Sequence, residues 1–147
     1  MGKIRYENLL TSALNVDDNV VHYIPGPLVT DAGVLAEVTK GGGQAPDSIV
    51  IAAVFAAETG APTSMSVWLE FRVDDDDNWT QCLQRFTGVL TAAFPIVPAD
   101  CPGTFTLFHV KPEGHQMRVA YQGTGCTGAA YFTFTQVTAR YIPRGEA

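Results

Sequence analysis

Residues 64–73, Ser-Met-Ser-Val-Trp-Leu-Glu-Phe-Arg-Val, decide the fold. Val67, Leu69, Phe71 and Val73 alternate with Trp68, Glu70 and Arg72. A period of two places one set on each side of a pleated strand, so one face is bound for a core and the other for solvent. The strand runs into Asp74, Asp75, Asp76, Asp77 and Asn78 before Trp79 opens another extended stretch. Aspartate and asparagine disfavour strands and favour turns, so this region reads as a β-hairpin with an acidic tip.

Outward from the hairpin the same grammar recurs. Ile49 to Ala57 is apolar on both alternations, the pattern of a central strand covered on both faces. The turn Glu58-Thr59-Gly60-Ala61-Pro62 hands it to the hairpin. Val20 to Val29 reads as a strand interrupted by Pro25-Gly26-Pro27, which marks an edge, a bulge or a bend because proline cannot donate to a ladder. Leu35 to Thr39 is short and ends in Gly41-Gly42-Gly43, which reads as a plain loop because no helix start or Lys-Ser/Thr follows it. Downstream come Thr80 to Thr87, Ala92 to Val97, Thr104 to Val110 with Phe105, Leu107 and His109 on one face, Gln116 to Tyr121 with Met117, Val119 and Tyr121 on one face, and Ala129 to Ile142 as either one long strand or two joined by a bulge near Gln136. Residues 1–19 read as an N-terminal arm or a brief helix around Leu9 to Leu14, and residues 20–147 as one domain. About eight strands spaced by Gly and Pro turns predict an all-β, jelly-roll type β-sandwich of antiparallel strands.

Composition narrows the functional classes. The chain has 147 residues, enough for one domain with its own core, with 46% hydrophobic and only 16% charged residues. A net charge of -6 with nine scattered basic residues supplies no footprint for nucleic acid. No apolar run approaches the ~18 residues of a membrane span, and the N-terminus shows neither a signal-peptide core nor a myristoylation pattern, so synthesis in the cytoplasm is expected. Cys82, Cys101 and Cys126 are widely separated with no C-x-x-C spacing, which predicts three free thiols.

Four constellations were weighed for chemistry. Asp74 to Asp77 with Asn78 offers oxygens but not the alternating ligands and glycine of a calcium loop, and reads as a solvated hairpin tip. His22, His109 and His115 are too dispersed for metal-ligand spacing. Ser48, Ser64 and Ser66 lie outside a nucleophile elbow, and Cys126 sits in the turn-like Gly125-Cys126-Thr127-Gly128. Trp68, Trp79, Tyr131 and Tyr141 could form a sugar-stacking platform, although aromatics in a sandwich more often serve core or interface. No catalytic, cofactor-binding or metal residue is assigned, and no enzyme activity or cofactor is expected.

Three stretches carry a family resemblance. They are Asn8 to Gly26, the strand, acidic turn and Trp of Ser66 to Thr80, and Val110 to Tyr121 leading through the Gly/Thr-rich turn Gly123 to Thr127 into the last strand Thr133 to Ile142. In this order the chain resembles the jelly-roll capsid cement, or decoration, proteins of tailed bacteriophages. The resemblance implies a virion structural protein on the outer capsid surface, a homotrimer whose partner is the major capsid protein, clamping neighbouring capsid subunits without contact to nucleic acid or membrane. The competing readings are a carbohydrate-binding jelly-roll module using Trp68 or Trp79, and a small β-sandwich hydrolase.

Overall fold

The computed structural model describes residues 4–10, 12–24, 36–37, 46–73, 78–82 and 94–143. These form eleven strands: β1 (Arg5–Asn8), β2 (Leu14–Val16), β3 (His22–Ile24), β4 (Ala36–Glu37), β5 (Ser48–Phe55), β6 (Ser64–Arg72), β7 (Thr80–Gln81), β8 (Phe94–Ile96), β9 (Gly103–Val110), β10 (Gln116–Thr124) and β11 (Phe132–Ile142). Every pairing between them is antiparallel.

The first sheet runs β1-β11-β5-β9, with β2 also beside β11; the second runs β3-β10-β6-β7, with β4 also beside β10 and β8 also beside β6. The short strands β1 and β2, β3 and β4, and β7 and β8 each share one place along a longer neighbour, so eleven strands fill eight places. Numbered along the chain, first place pairs with last, second with seventh, third with sixth and fourth with fifth, and successive pairs alternate between the two sheets. That is a long antiparallel ribbon rolled into a sandwich, the jelly-roll topology.

The core lies between the sheets. Ile49, Ile51, Ala53 and Phe55 of β5, Met65, Val67, Leu69 and Phe71 of β6, Met117, Val119 and Tyr121 of β10, and Phe132, Phe134, Val137, Ala139 and Tyr141 of β11 are all buried. Tyr121 of one sheet meets Phe134 of the other with ring centroids 5.4 Å apart, and Phe134 meets Phe55 at 4.8 Å, within the range of favourable tilted aromatic pairs. The alternation of residues 64–71 is realised as expected, and the hairpin forms with Glu70 opposite Gln81 and Phe71 opposite Thr80. Val73, grouped with the inward set in sequence, is 52% exposed because it lies just past the end of β6. The aspartate tip 74–77 and the Gly41 to Gly43 loop lie outside the described residues.

Two bulges correct the reading of single alternations. Of the two readings of the last strand, the bulge near Gln136 is the one observed: the register of β11 shifts between Phe134 and Gln136, so Phe132 and Phe134 face inward before it and Val137, Ala139 and Tyr141 after it. A second shift, opposite Ile51 and Ala52, falls in β9. It turns Phe108 and Val110 into the core along with Leu107 and leaves His109 outside, whereas strict alternation had placed His109 on the face of Phe105 and Leu107. The N-terminal segment is extended and has no separate helix or arm among its described residues. β1 and β2 form the outer place of the first sheet, and Leu9 is buried in the core. Residues 17–20 are held to the end of β10: the Cys126 N–H donates to Asn19 Oδ1 at 2.9 Å, and Gln122 Nε2 donates to the Asn19 carbonyl at 3.1 Å. Gly125 closes the following turn at φ +67, where a side chain would also strike Thr63.

Leu69→Asp places a charge among fully buried groups and is expected to cost more than about 3 kcal/mol, enough to unfold the chain or leave it aggregated, as read by urea denaturation. A second expectation concerns alkali. Burial pushes the Tyr121 phenol well above its ordinary pKa, with the charges of Asp18 and Asp17 adding to it. Burial does the same for Tyr141, reinforced by its hydrogen bond to Glu7 and that residue's charge, against a weaker opposing effect of Arg5. The native state therefore keeps two protons that the unfolded chain releases above about pH 10, so stability should hold below that pH and fall as the pH rises past it. Ultraviolet titration of the phenolates should show two of the five tyrosines ionising only as the fold is lost.

Candidate functional site

The outward face of the second sheet gathers the polar and aromatic residues that the core rejects. Strand β6 turns Trp68, Glu70 and Arg72 outward, and the register sets them beside Ala120, Arg118 and Gln116 of β10, with Tyr23 of β3 beyond Ala120 and Gln81 of β7 beyond Glu70. Period two alone brings these side chains together, because residues directly opposite in an antiparallel pair share a face.

At the centre, Arg118 Nε donates to Glu70 Oε1 at 2.6 Å, and Trp68 Nε1 donates to the other carboxylate oxygen at 2.9 Å. The two charged side chains are only 8% and 15% exposed. The Arg118 guanidinium lies 3.6 Å from the centroid of the Tyr23 ring and 4.3 Å from that of Trp79. Arg72 stands 4.4 Å from the Trp79 centroid and donates through Nε to Gln116 Oε1 at 2.8 Å. Each group thus meets its chemical complement: carboxylate to guanidinium, indole N–H to carboxylate, cation to ring face. From Gln116 to Tyr121 strand β10 is buried on both sides as a result, with Gln116, Arg118 and Ala120 on the outer one only 8%, 7% and 0% exposed.

The outer face of the first sheet is built differently. Its rows run Tyr6, Arg140, Val50, His109; then Asn8, Thr138, Ala52, Thr106; then Gln136, Val54, Thr104. Small and β-branched side chains dominate, Arg140 and His109 are the basic groups in these rows, and no acid is among them. The apolar outer set of β5 was expected to be covered; instead Ala52 and Val54 are half-buried, and Val50 alone is buried.

The residues weighed in sequence fall into separate places. Trp68 and Trp79 share the second sheet's outer face, joined by Tyr23, which sequence reasoning had not singled out. Tyr141 is buried on the inner side of the first sheet, and Tyr131 bridges to Thr59 at its end, so the four aromatics form no common platform. His22 sits on Asp18, 2.9 Å from Oδ1, and stacks on Tyr121. Burial acts to raise the Asp18 carboxyl, but the Val20 N–H and His22 outweigh it and hold the group below its usual range. His109 lies 3.3 Å from Ser48 Oγ on the open outer face of the first sheet, and His115 stands in the turn before β10. Ser64 and Ser66 lie along β6. The thiols of Cys101 and Cys126 are both raised, chiefly by burial, which disfavours the reactive thiolate. An open depression of about 600 Å³ at the hairpin end, lined by Phe71, Arg72, Val73, Asn78, Thr80 and Glu113, joins this face to the described edge of the acidic tip.

The signal for Tyr23 was present but split. His22-Tyr23-Ile24 is too short to show a period, and only its pairing with Val119, Ala120 and Tyr121 reveals which residue faces out. No family model matches this chain, and no curated protein matches its sequence.

Judged by its outward position alone, Glu70 is a solvent-facing acid whose replacement by Gln would change stability by no more than roughly 0.5 kcal/mol. The ion pair overturns that: the substitution leaves the Arg118 charge almost fully buried with no counter-charge from Glu70, and should cost about 1–3 kcal/mol. Replacing both residues by apolar ones of similar volume should recover most of the loss. A double-mutant cycle by chemical denaturation checks this, with a coupling near zero counting against the pair.

Proposed function

We propose that this chain is a structural protein of a virion that docks on the outer surface of an assembled phage capsid and stabilises it by bridging neighbouring subunits. The observation that carries the reading is the contrast between the two outer faces of the jelly roll. One is saturated by its own ion pair and stacked guanidiniums. The other presents small and β-branched Ala52, Val54, Thr104, Thr106 and Thr138 around a buried Val50, with no acid in its rows and the longer Tyr6, Arg140, His109 and Gln136 at their margins. Such a surface loses little side-chain entropy and few hydration contacts when covered, which favours broad, static association over capture of a small molecule. The order of segments shared with capsid decoration proteins agrees with it. Stabilisation of the shell would then follow from mass action, each copy binding the assembled state alone.

The carbohydrate-binding reading draws on Tyr23, Trp68 and Trp79 lying on one face. Against it, the rings of Tyr23 and Trp79 already hold guanidinium groups where a sugar would stack.

Co-sedimentation with assembled capsids and with procapsids separates the two. The expected outcome is binding to expanded capsids that is lost when Ala52 and Thr106, at the centre of the first sheet's outer face, are both replaced by Glu, and retained in Trp68→Ala. A protein that ignores both particles but binds a glycan array through Trp68 would replace this reading with the other.

A further inference from the structure

Strand β1 carries its residues the wrong way round for a lone domain. Arg5 and Glu7 are on the sandwich side, where Tyr141 donates its hydroxyl to Glu7 Oε1 at 2.7 Å and the Arg5 guanidinium lies 4.0 Å from the Tyr141 ring. Ile4 and Tyr6 are therefore turned outward, 40% and 69% exposed. A slip of one residue would bury the apolar pair instead, so the observed register gives up apolar burial that the isolated fold could use. Charged residues pointing inward at an edge ordinarily block pairing with another strand, so an incoming strand is admitted only where it brings the opposite charge to each.

The backbone shows what it would pair with. The Leu9 N–H donates to the Val137 carbonyl at 2.8 Å, and the register sets Glu7 opposite Ala139 and Arg5 opposite Tyr141. Bonded and non-bonded pairs alternate along an antiparallel ladder, so Arg5, Glu7 and Leu9 point their N–H and C=O groups at β11. Those of Ile4, Tyr6 and Asn8 point away from it, along a side where β1 pairs with no other strand among the described residues. Placed antiparallel against itself about Tyr6, the strand makes a bonded Tyr6 to Tyr6 pair. It also sets Arg5 opposite Glu7 of the partner subunit, and Glu7 opposite Arg5 of the partner subunit, in the closer non-bonded positions. Centring on Ile4 instead would oppose Arg5 with Lys3 of the partner subunit, like against like.

We propose that two copies of this chain associate through β1 about a two-fold axis at Tyr6, joining their first sheets into one continuous sheet with Ile4 and Tyr6 of both copies on its outer face. The pattern Arg5-Tyr6-Glu7 is self-complementary only in this antiparallel sense, which is what an isologous contact requires. The ladder is short, so the pair is concentration-dependent in free solution and strengthened wherever copies are held side by side. The inference concerns the free protein and stands or falls apart from capsid binding.

Sedimentation velocity on the full chain should show a monomer–dimer equilibrium. Tyr6→Pro removes the outward N–H at the centre while leaving the bonds to β11, and should weaken the dimer about tenfold or more through the two lost hydrogen bonds. Arg5→Glu and Glu7→Arg should each be monomeric alone, yet form a heterodimer when mixed, because Glu now faces Arg at both positions. That rescue also shows that both variants are folded. A chain that stays monomeric at every concentration, a trimer, a dimer indifferent to Tyr6→Pro, or charge variants that fail to pair on mixing would each overturn the proposal.

Discussion

The fold depends on its last strand finding its first. β11 lies between β5 on one side and β1 with β2 on the other, so Arg5 pairs with Tyr141 across nearly the whole chain, and β1 and β2 have no neighbour to join until β11 is docked on β5. Closing so long a loop costs entropy before any contact rewards it, which makes the outermost pairing a late and slow step. The inner pairs need less. β6 and β7 are close in sequence, β5 and β9 flank that pair along the chain, and each closure leaves the next pair nearer in space. The jelly-roll order is the sequence of closures in which loop cost is met a little at a time, and Leu9 and Tyr141 are locked only when the roll is complete.

The two bulges belong to the same constraint. The eleven-residue β11 serves β2 at its start and β1 at its end, and the bulge between the two adds twist and moves its alternation by one residue. The extra residue before Gln136 resets the faces so that Phe132 and Phe134, then Val137, Ala139 and Tyr141, all reach the core. The shift in β9 does the same beside β5, and it explains why Thr104 to Val110 shows bulky groups on both alternations: the core face changes partway along the strand.

Sequence reading therefore succeeded where a single strand carries its own period and failed where meaning depends on a partner. Val67, Leu69 and Phe71 declare their face unaided, and the bulge near Gln136 is visible because apolar residues fall out of step there. The faces of β9 were misassigned because that bulge is opposed by β5, far away in sequence. Glu70 looked like an idle surface acid because nothing near it names Arg118; only the β6–β10 register does. For the same reason Tyr23 was invisible. Residues 1–19 were ambiguous because β1 and β2 are too short to show a pattern, and their extended form is imposed by the sheet they join.

The polar layer on the second sheet and the nearly apolar rows of β5 on the first are two answers to one problem, that each strand of a two-sheet sandwich has an outer side to dispose of. On β10 the answer is a buried ion pair roofed by aromatic rings, which costs desolvation and returns a fixed arrangement more than net stability. That rigidity keeps Trp68, Glu70 and Arg118 occupied with one another. On β5 the outer side is left nearly apolar, with Val50 buried and Ala52 and Val54 half-buried. A central strand that is apolar on both alternations therefore need not be covered equally on its two faces: the inner set of β5 is fully buried, and its outer set only in part.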